Sequence, residues 1–192
     1  MINKILDKEF SEVKKILNLI KKNKFSKIKN FFKLVNICEK TIKNGNKIIF
    51  FGNGGSASDS QHLATELVVR YKNNRKAIPA LALSSDNSII TATGNDFGFK
   101  YIFSRQMEAI GIQNDVAICL TTSGNSENTI QAFKMAKKKN IITACFSGNK
   151  GGKIKKYSDI PIIIPSKTTS TIQVIELMLG QILCDYLERK SN

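Results

Sequence analysis

Between residues 3 and 23, Ile5, Phe10, Val13, Ile16, Leu17 and Ile20 recur at helical spacing and predict an amphipathic helix. Ser26 is placed to cap a second helix carrying Ile28, Phe31, Phe32, Val35, Cys38 and Ile42, which Asn44-Gly45 would end. The period then changes. Short apolar runs at residues 47–51, 80–83, 115–120, 141–146 and 160–164 read as strands. Helices are expected over residues 58–71, 87–93, 99–110, 126–139 and 171–188. Strands alternating with crossover helices imply a parallel sheet covered on both faces. The expected fold is α/β, a single doubly wound sheet of about five strands. Residues 1–45 would add two amino-terminal helices to an α/β core over residues 46–192.

Composition narrows the class without changing this picture. A chain of 192 residues suits one domain, and 42% apolar residues can fill its core, which excludes wholesale disorder. No apolar run approaches the roughly 20 residues that span a bilayer. The amino terminus lacks an uninterrupted apolar stretch with a small-residue cleavage site, so a cytoplasmic location is expected. Cys38, Cys119, Cys145 and Cys184 are widely spaced inside apolar segments, where free cysteine behaves as a small hydrophobe in a reducing compartment. His62 is the sole histidine, which excludes a site of several histidines within one chain. The net charge of +15 invites a nucleic-acid reading. Its lysines are spread along the chain, however, with no RNP-like aromatic motif and no zinc-finger spacing. Solvated helix faces account for them, and no direct nucleic-acid binding is expected. A positive field would also attract an anionic small substrate.

Two loops share an unusual chemistry. Phe51-Gly-Asn-Gly-Gly-Ser-Ala-Ser58 and Leu120-Thr-Thr-Ser-Gly-Asn-Ser126 each lead from an apolar strand, through small residues and hydroxyls, into a helix start. Glycines let the backbone approach a ligand, and the free N–H groups of a helix terminus favour an anion. Parallel sheets bind ligands at the carboxyl ends of their strands, where both loops would lie. Neither loop is a nucleotide-binding P-loop. An ordinary βα turn also uses Gly and Ser, but two such loops point to a phosphate or polyol site. Ser56 and Ser123 would then reach one bound sugar phosphate.

The helix after the first loop carries a polar stripe. Asp59, His62, Glu66 and Arg70 recur at spacings of three and four and share one face, while Leu63, Ala64, Leu67 and Val68 supply the buried side. His62 and Glu66 can present an imidazole and a carboxylate to one proton or one divalent metal. Alone, such a stripe is an ordinary solvated face with a Glu66–Arg70 pair. Asn95-Asp96 is a third polar group, able to bind sugar hydroxyls or simply to cap a helix.

As a set these residues resemble a known family. Gly52-Asn-Gly-Gly-Ser-Ala, Gln61-His62 with Glu66 and Arg70-Tyr71, Gly94-Asn-Asp-Phe-Gly-Phe99 with Phe103-Ser-Arg105, and Thr122-Ser-Gly-Asn-Ser126 look like the phosphoheptose isomerases of the sugar isomerase (SIS) superfamily. The resemblance runs over nearly the whole chain. It implies a flavodoxin-like sheet and a homotetramer with active sites at subunit interfaces. The implied reaction converts sedoheptulose 7-phosphate to D-glycero-D-manno-heptose 7-phosphate, feeding heptose for surface polysaccharide such as lipopolysaccharide. Carried over residue by residue, it implies substrate contacts at Asn53, Gly54, Gly55, Ser56, Asn95 and Asp96. It implies a phosphate held by Thr121, Thr122, Ser123 and Ser126. His62, Glu66 and Gln173 match the family's catalytic and zinc-binding set, with Glu66 the base that moves the proton between C1 and C2.

The last helix departs from the family pattern. Histidines expected three and eight residues after Gln173 are replaced by Glu176 and Gln181. Gln181 cannot shuttle a proton and is a weaker zinc ligand than imidazole, so a zinc site of His62, Glu66, Gln173 and Gln181 would be weak or absent. On a helix Gln181 lies about 80° from Gln173, and Glu176 about 60° to the other side. Glu176 either enters the site as a substitute carboxylate or makes a subunit salt bridge. Two rival readings follow. One is a non-catalytic SIS protein that binds sugar phosphate or the replication initiator, and the other is an SIS isomerase of another sugar phosphate.

Overall fold

Strands β1 (Ile48–Gly52) and β3 (Val116–Thr121) are buried at every position, which suits central strands covered on both faces. The computed structural model describes residues 1–22 and 28–191. Its five strands, completed by β2 (Ala80–Ala82), β4 (Ile142–Gly148) and β5 (Ile160–Ile164), form one sheet in the order β2-β1-β3-β4-β5. All neighbours are parallel. This is the flavodoxin-like order, so the sequence reading of a doubly wound parallel sheet holds. The chain reverses its winding between β1 and β3, and the loops leaving that switch point open a crevice.

Alternation along the strands splits the core. Ile48 and Phe50 of β1 join Ile118 and Phe146 on one face, against α1 (Ile2–Lys22), α2 (Lys29–Lys43), α3 (Gly55–Val68) and α7 (Thr169–Lys190). Ile49 and Phe51 join Cys119 and Cys145 on the other, against α5 (Ile102–Ile110) and α6 (Glu127–Lys138). The second helix ends as expected, with Asn44 as its cap and Gly45 at φ 79°. The expected cap Ser26 lies outside the described residues.

Several boundaries differ from expectation for physical reasons. The helix expected from residue 58 starts at Gly55, because the glycine loop supplies its own first turn. Its cap, Gly54, sits at φ 57°, a conformation that favours glycine. At its far end α3 stops at Val68. Glu188 of α7 accepts backbone N–H bonds from Tyr71, Lys72 and Asn73 at 2.8, 2.8 and 2.9 Å and draws the chain away. Arg75 Nη2 donates to the freed Glu66 carbonyl at 2.7 Å. Val68, expected on the buried side, is the last residue of the helix and is exposed. Residues 99–110 divide into a 3₁₀ turn, Phe99–Tyr101, and α5. The helix expected to end at residue 93 continues as α4 (Asn87–Asp96), placing Asn95 and Asp96 in its last turn.

Candidate active site

The two small-residue loops leave β1 and β3, which are hydrogen-bonded neighbours with Gly52 beside Leu120. They therefore flank one crevice at the carboxyl edge of the sheet. From the first, Gly54 and Gly55 are exposed, Asn53 is half-buried and Ser56 is buried beneath them. From the second, Ser123 is exposed, Thr122 and Ser126 are half-buried and Thr121 is buried. The Thr121 hydroxyl accepts the Gly124 N–H at 3.2 Å, and the Ser123 hydroxyl accepts that of Asn125 at 3.2 Å. Both hydroxyls keep a proton to donate outward. Ser126 caps α6 without a side-chain bond to that helix. The first-turn N–H groups of α3 and α6 are thus presented at the same crevice, an arrangement suited to an anion.

The second loop is braced from the β4 side. Gly148 N–H donates to the Thr122 carbonyl at 3.1 Å, and Ile154 N–H to the Gly124 carbonyl at 2.9 Å. Gly124 and Gly152 pack backbone to backbone, both at positive φ, and a side chain on either would strike the other's loop.

Helices α3 and α7 run side by side in the same direction. Gly55 faces Gln173, and Gly180 faces Leu63. A methyl group on Gly55 would sit 2.7 Å from Gln173 Nε2, so the missing side chain lets Gln173 reach the first loop. One face of α3 supplies the paired groups, His62 Nε2 lying 3.0 Å from Glu66 Oε1. Both remain accessible, at 44% and 22% side-chain exposure. The Glu66–Arg70 pair of an ordinary solvated face does not form among the described residues; Arg70, beyond the helix end, donates to Asn74 at 2.7 Å. The structure therefore brings His62, Glu66 and Gln173 to the two helices that border the crevice.

Gln181 is half-buried on α7, and among the described residues no hydrogen bond ties it to His62 or Glu66. Asn95 donates to Asp96 at 2.8 Å, and both are exposed. Asp96 lines a surface pocket of about 300 Å³ with Thr93, Phe97, Arg105 and Gln106. Neither residue bonds to the two loops among the described residues.

Within one protomer, Glu176 does not reach the surface of the crevice. It is fully buried under α7, and neither carboxyl oxygen has a hydrogen-bond partner among the described residues. Burial pushes its pKa up to about 9, with the nearby Asp59 carboxylate adding to the rise and the Thr121 backbone N–H, close by but outside hydrogen-bond geometry, partly offsetting it. It is a neutral acid at pH 7. Burial also raises Asp59, while His62 opposes that rise. The four cysteines are free and buried, and burial lifts Cys145 to about 11 and Cys184 to about 12. None is a thiolate nucleophile.

The zinc question turns on donor chemistry. His62 and Glu66 are good zinc donors, but Gln173 and Gln181 offer only carboxamide oxygens. Among the described residues no three His, Cys, Asp or Glu side chains converge. The site does not fit a tightly held zinc ion.

Sequence reasoning missed Asn128, in the first turn of α6. It is 3% exposed and exchanges two hydrogen bonds with Asn53, at 2.9 and 2.8 Å. In sequence it looked like any polar residue in a helix's first turn. Only the pairing of β1 with β3 reveals its partner.

The SIS domain family model matches residues 10–148. The chain is 49% identical over 158 residues to a phosphoheptose isomerase of Paramagnetospirillum magneticum, covering 82% of each protein. It is 43% identical over 189 residues to a phosphoheptose isomerase of Helicobacter pylori, covering 98% of this chain and 97% of that one. Its fold superimposes on the structure of phosphoheptose isomerase GmhA from Neisseria gonorrhoeae with a TM-score of 0.90 at 31% identity, over 98% of this chain and 100% of the other.

Proposed function

The chain belongs to the SIS-domain family, among its phosphoheptose isomerases, and from that premise we propose that it interconverts D-sedoheptulose 7-phosphate and D-glycero-D-manno-heptose 7-phosphate. The observation that carries the reading is the joining of an anion-binding crevice to an accessible His62–Glu66 pair on the helix that leaves it.

The chemistry follows from the groups at hand. The phosphate is held by the helix N-termini and by Thr121, Thr122, Ser123 and Ser126, with Asn53, Gly54, Gly55 and Ser56 along the opposite wall. That anchorage sets the far end of the sugar against α3. Glu66 removes a proton from C1 of the ketose; C1=C2 forms and the carbonyl electron pair moves to O2, which takes up the proton that the O1 hydroxyl gives up. Glu66 then returns its proton to C2 while O1 becomes the carbonyl, so protons and electrons balance and the step needs no outside reagent. His62, hydrogen-bonded to Glu66, orients the carboxylate, and the Gln173 amide donates to the enediol oxygens. Asn95 and Asp96 are read as further substrate contacts, supplied within a homotetramer whose active sites lie at subunit interfaces. Exposed apolar residues on α1 (Ile5, Leu6, Phe10) and α7 (Val174, Ile182) support such an assembly.

Zinc, when bound, would act as a Lewis acid on the sugar oxygens. His62, Glu66, Gln173 and Gln181 make a weak set for it, and no step above depends on it. The heptose product suits surface polysaccharide, lipopolysaccharide included. A cytoplasmic location is part of the reading, supported by the four unpaired cysteines. No described helix is long and apolar enough to cross a membrane.

Incubation with sedoheptulose 7-phosphate, with and without added zinc, followed by product analysis tests the reading. The aldose should form in both arms. Binding without turnover would replace it with a non-catalytic sugar-phosphate protein. Light scattering should give a multiple of 21.4 kDa, and the monomer mass at micromolar concentration would contradict the assembly.

A further inference from the structure

We propose that Asn128 is a positioning residue that sets the distance between the two ligand loops by acting through Asn53. The β1–β3 backbone ladder ends at Gly52 and Leu120, below the loops. Beyond it the second loop is tied to the β4 side by the Gly148, Lys153 and Ile154 N–H groups, which donate to the Thr122 carbonyl, Asn125 Oδ1 and the Gly124 carbonyl. Toward the first loop, among the described residues, its helix has the Asn53–Asn128 pair instead of a backbone bond. Each Nδ2 donates to the other's Oδ1, at 2.9 and 2.8 Å, across 75 residues of sequence.

The choice of residue follows from this geometry. A carboxamide is complementary to a second carboxamide, giving and receiving one bond each. An aspartate at either place sets acceptor against acceptor, and an alanine leaves the other amide, buried at 128 or half-buried at 53, without this partner. The pair also occupies the Asn53 side chain, so Asn53 meets a ligand through its backbone. An anion gripped by N–H groups from both loops needs them at a fixed spacing, and a small displacement weakens every contact together. Asn128 does this without touching the ligand.

The inference deepens the isomerase reading, and its first test is independent of turnover. Inorganic phosphate is titrated calorimetrically into the assembled wild-type protein, Asn128→Ala, Asn128→Asp, Asn53→Ala and the double alanine variant. Each single variant should bind phosphate about tenfold more weakly, the scale of losing one neutral hydrogen-bonded pair. The double alanine variant should be no weaker than either single one, because both substitutions break the same link. For sedoheptulose 7-phosphate, KM should rise by the same factor and kcat should fall less. If Asn128→Ala does not fold, the near-isosteric Asn128→Asp carries the test with the same expected loss. A lowered Tm with unchanged phosphate affinity would overturn the proposal, as would full additivity in the double variant. Loss of phosphate affinity in a protein that never turns over the sugar would support the positioning role and defeat the isomerase reading.

Discussion

Two parallel helices border the crevice, and each carries a glutamate that reads from sequence as a candidate for the same chemistry. On α3, Glu66 is partly open to solvent and paired with His62 at 3.0 Å. On α7, Glu176 is closed off, without a hydrogen-bond partner among the described residues, and neutral at pH 7. The difference lies in where each helix face points. Glu66 lies at the border of the buried face of α3, about 60° round the helix from the core residue Leu63, and stays partly exposed. Glu176 shares its face with the core residues Ile172 and Leu179 and is buried with them, close to Cys119 and Cys145 of the central strands. A carboxyl group works as a base only where it can meet a substrate, so the proposed reading puts the chemistry on α3, with Gln173 of α7 against the loop.

The largest expected effect sharpens that contrast. Glu66→Gln keeps shape and removes basicity, and kcat should fall by roughly 10²–10⁴-fold while substrate affinity changes only a few-fold. Turnover near wild type would break the assignment. Glu176→Gln should act on stability. The folded pKa of about 9 stands above the unfolded 4.5, so between these pH values the unfolded chain has released a proton that the folded chain retains. Stability from this group is full below pH 4.5 and is lost progressively as pH rises toward 9. The amide variant removes that slope. Its Tm should exceed wild type by on the order of several degrees at pH 8.5 and match it near pH 4.5. A variant that melts lower at pH 8.5 would mean that Glu176 is ionised and paired in the native assembly. The smallest effect concerns metal. Gln181→His adds an imidazole beside a weak donor set, and zinc affinity measured by competition with a chelator should rise about tenfold. No change would show that residue 181 does not face His62.

Much of this was legible in the sequence, for identifiable reasons. Period changes located all five strands within two residues, because central parallel strands are continuous apolar runs. The two small-residue loops and the His62–Glu66 spacing were legible because they depend on local order. What escaped depends on contacts far along the chain. Glu188 ends α3 from more than a hundred residues along the chain, with Arg75 as its ion-pair partner at 3.5 Å, and no local signal separated either from ordinary charged surface. Asn128 required knowing that β1 and β3 are neighbours. Glu176 could be placed on a helix but not rotated into the core, because α7 has apolar residues around most of its circumference and its pattern fixes no face.

The central claim, that this crevice supports proton transfer between C1 and C2 of a heptose phosphate with Glu66 as the base, is tested most directly by hydrogen exchange. Wild-type protein and Glu66→Gln are incubated with sedoheptulose 7-phosphate in deuterium oxide and followed by proton NMR. With wild type, the aldose should appear with deuterium at C2, and one of the two C1 hydrogens of the remaining ketose should wash out; with Glu66→Gln neither should occur above background. Equal exchange by both proteins, or none by wild type while phosphate still binds, would contradict the account.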